Sequence, residues 1–314
     1  MLASKNQSDA REGILSYDEP LTYHRMIEYI DIFSERYKCF HVSFLGNSLL
    51  GRSIPMVTLG KGKKSVLYIG AHHGMEWITT ALLLKFANEY CELFEVNGHI
   101  SHTSISYLNS TRSIMIIPML NPDGVEYQIN GVKKNNPLYE RLIKMNGSVD
   151  FSHWQANGRG VDLNHNYDAG FYEYLQNEET QKISNGASTK WCGISPESEP
   201  ESGLLANFSR FNDDIEMFVS FHSQGEEIYY GNNFDPPKEN IRIGKMLEKL
   251  SGYKLKETEG SASSGGFTDW IVKELKKPAY TVECGKGENP LPLSNLFEIY
   301  FKLRRMLFEA PMII

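Results

Sequence analysis

"SVLYIGAHHGMEWITTALLLKFANEYCELF" (residues 65–94) decides how the rest of the chain is read. Its first seven residues, SVLYIGA, form a short, continuously apolar run, the kind that makes a strand buried on both faces. From Ile78 onward the stretch reads as a helix. His72, His73 and Glu76 stand between the two, where the buried strand stops. Groups of this kind are costly to bury unpaired, so they need partners or a metal ion.

Working outward, three more buried strands follow the same pattern: SIMIIPML (113–120), IEMFVSFHS (215–223) and KPAYTVECG (277–285). NPDG (121–124) after the first of these is a turn signal. HVSFLG (41–46) and SIPMVTLG (53–60) read as strands around the turn-rich NSLLGR. Helical patterns run over 21–37 and 293–310. In SPESEPESGLLANFSRF (195–211), Ser198 is a candidate cap, Pro200 sits in the first turn and Glu201 completes S-x-x-E. Buried strands alternating with helices predict an α/β fold. A single domain is expected, with a central, mixed, mostly parallel sheet and helices on both faces.

With 314 residues, 41% of them hydrophobic and 23% charged, the chain can bury a core without staples. A net charge of −7 offers no basic field for phosphates, so nucleic acid is excluded as a partner. Residues 1–20 are polar, read as a loose lead-in, and lack the apolar core of a signal peptide. No apolar run is long enough to span a bilayer, so no membrane partner is expected. Cys39, Cys91, Cys192 and Cys284 are scattered without a C-x-x-C pair. They read as reduced thiols, and the expected location is cytoplasmic.

Four groups competent for metal or proton chemistry fall at the ends of buried strands. His73 and Glu76 follow the first, His222 ends another and Glu283 ends the last. In open α/β sheets ligands bind beyond the carboxyl ends of strands. His73, Glu76 and His222 make a His₂Glu set. Three protein ligands with an open position is the layout of a catalytic zinc site, so one zinc per chain is expected. His72 reads as a neighbour whose hydrogen bonds are satisfied.

HGMEWITT, NPDG, GVDLNHNYDAGF, SEPE, SFHSQG, SGGFTDW and YTVECG occur in the order and approximate spacing of the zinc metallocarboxypeptidases. The chain resembles this carboxypeptidase A-like family from about residue 20 to its C-terminus, so 21–314 is read as the catalytic domain. Within the family, VECGKGENPLPLSN and WQANGRGVDLN look most like the bacterial γ-D-glutamyl-L-diamino acid peptidases. Those enzymes cleave peptidoglycan peptides between γ-D-glutamate and meso-diaminopimelate. The resemblance implies that His73, Glu76 and His222 bind zinc and that Glu283 is the general base. It also implies that Asp162 orients the first zinc histidine and that Asn164 binds the substrate's terminal carboxylate.

Three positions depart from the family pattern. His165 stands where many members carry an arginine that clamps the carboxylate. Gln155 stands, by counting, where short-loop members carry the arginine that polarises the scissile carbonyl, and Arg159 is near enough in sequence to substitute. Ser261 replaces the tyrosine that caps substrate. Thr268 matches the floor of the specificity pocket, and Lys286 is close in sequence to Glu283. The implied function is zinc-dependent hydrolysis of peptides or muropeptides, with γ-D-Glu–meso-diaminopimelate as the expected bond. An ordinary metallocarboxypeptidase, a zinc amidohydrolase of acylated amino acids and a catalytically dead binding protein remain alternatives.

Overall fold

Alternate residues of the strand Lys64–Gly70 belong to two different apolar cores. Val66 and Tyr68 pack on one face with Phe86, Leu303 and Leu307, and Leu67 and Ile69 pack on the other with Leu205 and Trp270. Side chains of a strand alternate between faces, so an unbroken apolar run needs helices on both. This computed structural model describes residues 15, 18–183, 185–258 and 263–314. Most of the expected lead-in over 1–20 therefore lies outside the described residues, as does Ser261.

Eight strands form the sheet: β1 (Phe40–Asn47), β2 (Ser53–Gly60), β3 (Lys64–Gly70), β4 (Arg112–Ile117), β5 (Ile215–His222), β6 (Glu227–Tyr229), β7 (Lys254–Lys256) and β8 (Ala279–Glu283). Their order is β1-β2-β4-β3-β5-β8-β6-β7. The four central strands are parallel, while β1, β2 and β6 join by antiparallel pairing. The sheet is thus mixed and mostly parallel, as the sequence predicts.

The helices that cover it are α1 (Tyr23–Arg36), α2 (Ile78–Glu95), α3 (Pro122–Asn130), α4 (Pro200–Phe211), α5 (Lys238–Ser251) and α6 (Leu296–Glu309). Thr22 caps α1 by accepting from the Arg25 N–H at 3.2 Å. Met26, Tyr29, Ile30 and Phe33 of α1 form one buried stripe. Helices α1, α2, α5 and α6 supply residues to one core, and α4 to the other. Each fully buried apolar side chain contributes about 1.5–3 kcal/mol. No helix among the described residues is long and apolar enough to cross a membrane.

Strand β3 has β4 on one side and β5 on the other. The chain passes from β3 through α2 to β4 and later returns to place β5 beside β3. The strand order therefore reverses between β3 and β5, and ligands of open α/β sheets bind at such a switch point.

Two local readings are corrected. NPDG is the start of α3 and not a turn ending the strand: Asn121 accepts from the Gly124 N–H at 2.9 Å, and Pro122 takes the first turn, where no N–H is needed. Ser198 does not cap α4. The cap position is Glu199, and the Ser198 hydroxyl donates to the Glu199 carboxylate at 2.9 Å.

Candidate metal centre and active site

Beyond Gly70 the chain turns sharply. Ala71 adopts φ 48°, a left-handed conformation that is unfavourable for a residue with a Cβ. Its N–H donates to the Thr79 hydroxyl at 2.8 Å, which ties the turn to the first turn of α2. Gly74 follows, and a Cβ there would lie 2.5 Å from the Gly124 carbonyl oxygen. The short 3₁₀ turn Gly74–Glu76 then brings Glu76 against His73. His222 ends β5 and lies in register with Glu283, which ends β8.

The result is a convergent triad. His73 Nδ1 lies 3.0 Å from Glu76 Oε1, His222 Nδ1 lies 3.0 Å from Glu76 Oε2, and the two Nδ1 atoms are 3.2 Å apart. All three side chains are buried. The outer ring nitrogens are occupied: His73 Nε2 meets Asp162 Oδ1 at 3.0 Å and His222 Nε2 meets Ser220 Oγ at 3.1 Å. With Nε2–H donating outward to Asp162, the His73 Nδ1 turns its lone pair inward. Two inward nitrogens and a carboxylate repel one another unless a cation or proton lies among them. An all-nitrogen-and-oxygen set of this size, without cysteine, fits zinc. Among the described residues this is the group of His, Cys, Asp and Glu side chains that could hold a metal ion.

Electrostatics concentrate here. Burial opposes a charged His73, yet Glu76 and Asp162 outweigh it and hold its pKa well above the ordinary value. Burial likewise opposes ionisation of Glu76, but His73 and His222 pull it down to about 2. At Glu283 the pull of His73 is outweighed. Burial first and the Glu76 charge second push it up to about 8. His72 is a neighbour with its hydrogen bonds met: it touches Ser220 Oγ at 3.0 Å and the Tyr167 hydroxyl at 3.3 Å, and burial holds its pKa well below normal.

A cavity of about 480 Å³ opens beside Glu283, lined also by Asn164, Tyr229, Lys256, Thr268 and Asp269. The Thr268 hydroxyl pairs with that of Thr281 at 2.7 Å, so this wall is polar. Asn164 accepts from the Phe267 N–H at 3.1 Å through its amide oxygen, which leaves its NH₂ as the group to offer a ligand. Gln155 sits against the His73 turn: its carbonyl accepts from the Gly74 N–H at 2.9 Å, and its side-chain oxygen accepts from the Thr189 hydroxyl.

Three sequence candidates are drawn elsewhere. Arg159 donates to Glu199 Oε2 at 2.6 Å and to the Ser198 carbonyl at 3.0 Å, so its guanidinium serves a structural cluster. Lys286 is 72% exposed, pairs with Glu226 at 3.2 Å and does not line the cavity. His165 stacks on Tyr174 with ring centroids 3.9 Å apart, and its Nδ1 meets the Ser264 carbonyl at 2.7 Å. Burial lowers its pKa, so it is no cationic substitute for arginine. Two residues escaped the sequence reading. Asn121 donates to the carbonyls of His72 (3.0 Å) and Ala156 (3.1 Å), bracing the histidine turn, and Lys256 is the cation that lines the cavity. The N-P-D-G start of α3 was the available signal for Asn121. Lys256 sits on a three-residue strand with no pattern to mark it.

Known proteins resemble this chain in sequence and fold. The chain is 33% identical over 291 residues to γ-D-glutamyl-L-diamino acid endopeptidase 1 of Lysinibacillus sphaericus, covering 92% of this chain and 70% of that protein. It is 34% identical over 298 residues to the protein YqgT of Bacillus subtilis, covering 94% and 77%. Bovine thrombin-activatable fibrinolysis inhibitor, solved with a tick carboxypeptidase inhibitor, superposes with a TM-score of 0.72 at 21% identity, over 95% of this chain and 98% of that one; this likeness speaks for the fold. The zinc carboxypeptidase family profile matches residues 26–302. With nearly the whole chain matched, and with a donor set suited to one zinc ion, the protein belongs to the zinc carboxypeptidase family and is a zinc metallopeptidase.

Proposed function

We propose that the protein hydrolyses the bond between γ-D-glutamate and meso-diaminopimelate in peptidoglycan-derived peptides. The observation that carries the reading is Glu283, which lines a polar cavity and lies in register with His222 of the triad. The 33% identical relative is itself named for γ-D-glutamyl-L-diamino acid bonds. A polar, charged cavity also suits a diamino dicarboxylic side chain better than an aromatic one.

In this proposal His73, Glu76 and His222 hold zinc, and Asp162 fixes the His73 ring. Zinc, when bound, supplies Lewis acidity that acidifies water and polarises a carbonyl. Glu283 takes the proton of the attacking water as the carbon–oxygen bond forms. It then gives that proton to the leaving amine as the carbon–nitrogen bond breaks. Asn164 offers its amide NH₂ to the substrate's carboxylate, and Gln155, beside the histidine turn, supplies a donor toward the developing oxyanion. A cytoplasmic location belongs to the same proposal, and the four free, buried cysteines fit a reducing compartment.

The test measures kcat/KM of zinc-loaded protein on L-Ala-γ-D-Glu-meso-diaminopimelate and on hippuryl substrates with aromatic or basic C-terminal residues. Preference for the muropeptide is expected, and preference for the hippuryl substrates would restore an ordinary carboxypeptidase. Glu283→Gln should keep its zinc and lose at least about 10²-fold in kcat. Near-normal turnover would remove Glu283 from the mechanism.

A further inference from the structure

Among the described residues, one cation lines the cavity beside Glu283. Lys256 ends β7 at the edge of the sheet and lines that cavity with Asn164, Thr268 and Glu283. Its ammonium pairs with Glu227, but that carboxylate also accepts from the Tyr229 hydroxyl. Glu227 therefore keeps a donor if Lys256 turns toward a ligand. The lysine is half exposed, so turning costs it little solvation. The cavity also contains carboxylates. Glu257 lines it and uses one oxygen to accept from the Tyr230 hydroxyl at 2.5 Å. Asp269 accepts through Oδ2 from Asn233 and Ser263, while its buried Oδ1 has no hydrogen-bond partner among the described residues.

We propose that Lys256 is the specificity-determining residue of this cavity and pairs with a carboxylate on the side chain of the residue whose amine is released. A pocket for an aromatic side chain has no use for a lysine. A pocket for lysine or arginine side chains would be weakened by one, since like charges repel. A side chain ending in both an ammonium and a carboxylate uses the whole lining, with Lys256 for the carboxylate and Glu257 or Asp269 for the ammonium. This rests on the peptidase reading above and deepens it.

Two peptides that differ only in the distal carboxylate isolate the effect: L-Ala-γ-D-Glu-meso-diaminopimelate and L-Ala-γ-D-Glu-L-Lys. Wild-type protein should favour the first by at least about tenfold in kcat/KM, the worth of one charge-assisted contact. Lys256→Gln should bring the ratio near one, chiefly through KM on the diaminopimelate peptide, and Lys256→Arg should preserve it. Lys256→Glu should invert it. Independently of any variant, free meso-diaminopimelate should inhibit wild-type protein about tenfold better than free L-lysine. A ratio unchanged in Lys256→Gln, or equal inhibition by the two amino acids, would overturn the role of Lys256 while leaving the peptidase reading intact. Failure of wild-type protein to cleave either peptide would overturn both.

Discussion

Among the described residues, two buried groups built around carboxylates differ in one respect that separates a working site from a brace. In the first, both oxygens of Glu76 face imidazole nitrogens that also face each other. In the second, Asp123, Glu199 and Glu201 are buried beside α4, and every carboxylate oxygen meets a donor of its own. Asp123 accepts from Ser48 Oγ (3.0 Å), the Leu50 N–H (2.9 Å) and Arg52 (2.5 Å). Glu199 accepts from Asn157 (2.7 Å), Arg159 (2.6 Å) and Ser198 Oγ. Glu201 accepts from the Leu49 N–H (2.9 Å) and Asn157 (3.3 Å). The residue types overlap, but the completeness of donors does not. A complete cluster holds loops in place, whereas the triad is left for a cation to complete.

The largest expected effects lie in the triad and sharpen this contrast. His73→Ala or His222→Ala should lose most of the bound zinc and at least about 10³-fold in turnover, since several kcal/mol of transition-state stabilisation goes with the metal. Asp162→Asn should weaken zinc by about 10–100-fold, because it only orients His73. Metal content by elemental analysis of purified protein measures both. Undiminished zinc in either alanine variant would break the ligand assignment.

The next prediction separates Arg159 from Gln155. Arg159→Ala removes a donor from Glu199 but leaves it Asn157 and Ser198. It should cost about 2 kcal/mol of stability in a denaturant titration and change kcat by less than about threefold. Gln155→Ala should instead lower kcat by about 10²-fold at little change in KM. If Arg159→Ala lowers kcat without loss of stability, the guanidinium acts in the site and the brace reading fails.

That pair also marks how far the sequence could be read. His73, Glu76, His222 and Glu283 were legible because each breaks off an apolar run at a strand end, and strand ends share one side of a parallel sheet. Arg159 lies five residues from Asn164 in one motif, which suggested proximity to the reaction. Its partner Glu199 is 40 residues downstream, and no local pattern announces that pairing. Lys286 and Lys256 repeat the lesson. Nearness in sequence to Glu283 pointed to Lys286, whereas sheet pairing through β6 carries Lys256 to the cavity. The buried strands and the helical segments followed from periodicity, whereas the strand order had no local signal. The edge strands β6 and β7, three residues each, gave periodicity nothing to act on.

The last prediction leaves catalysis untouched and tests the complete cluster itself. Burial pushes Glu201 from an ordinary 4.5 up to about 7, despite the bonds from Leu49 and Asn157. A carboxyl whose folded pKa is raised favours folding while it is protonated in both states. As pH rises past 4.5 the unfolded chain releases its proton first, so stability falls until about pH 7 and is then flat. From 4.5 to about 7 the loss from this group is of order 3 kcal/mol. Glu201→Gln carries no proton to release, and its amide can still accept from the Leu49 N–H. Urea titrations of both proteins at pH 4.5 and pH 8 should therefore show the variant gaining about 3 kcal/mol relative to wild type across the interval. Zinc content should be equal in the two proteins, because this cluster shares no ligand with the triad. Parallel pH profiles would mean that Glu201 is ionised in the folded protein and that its donors outweigh its burial. The second cluster would then be a fully charged brace.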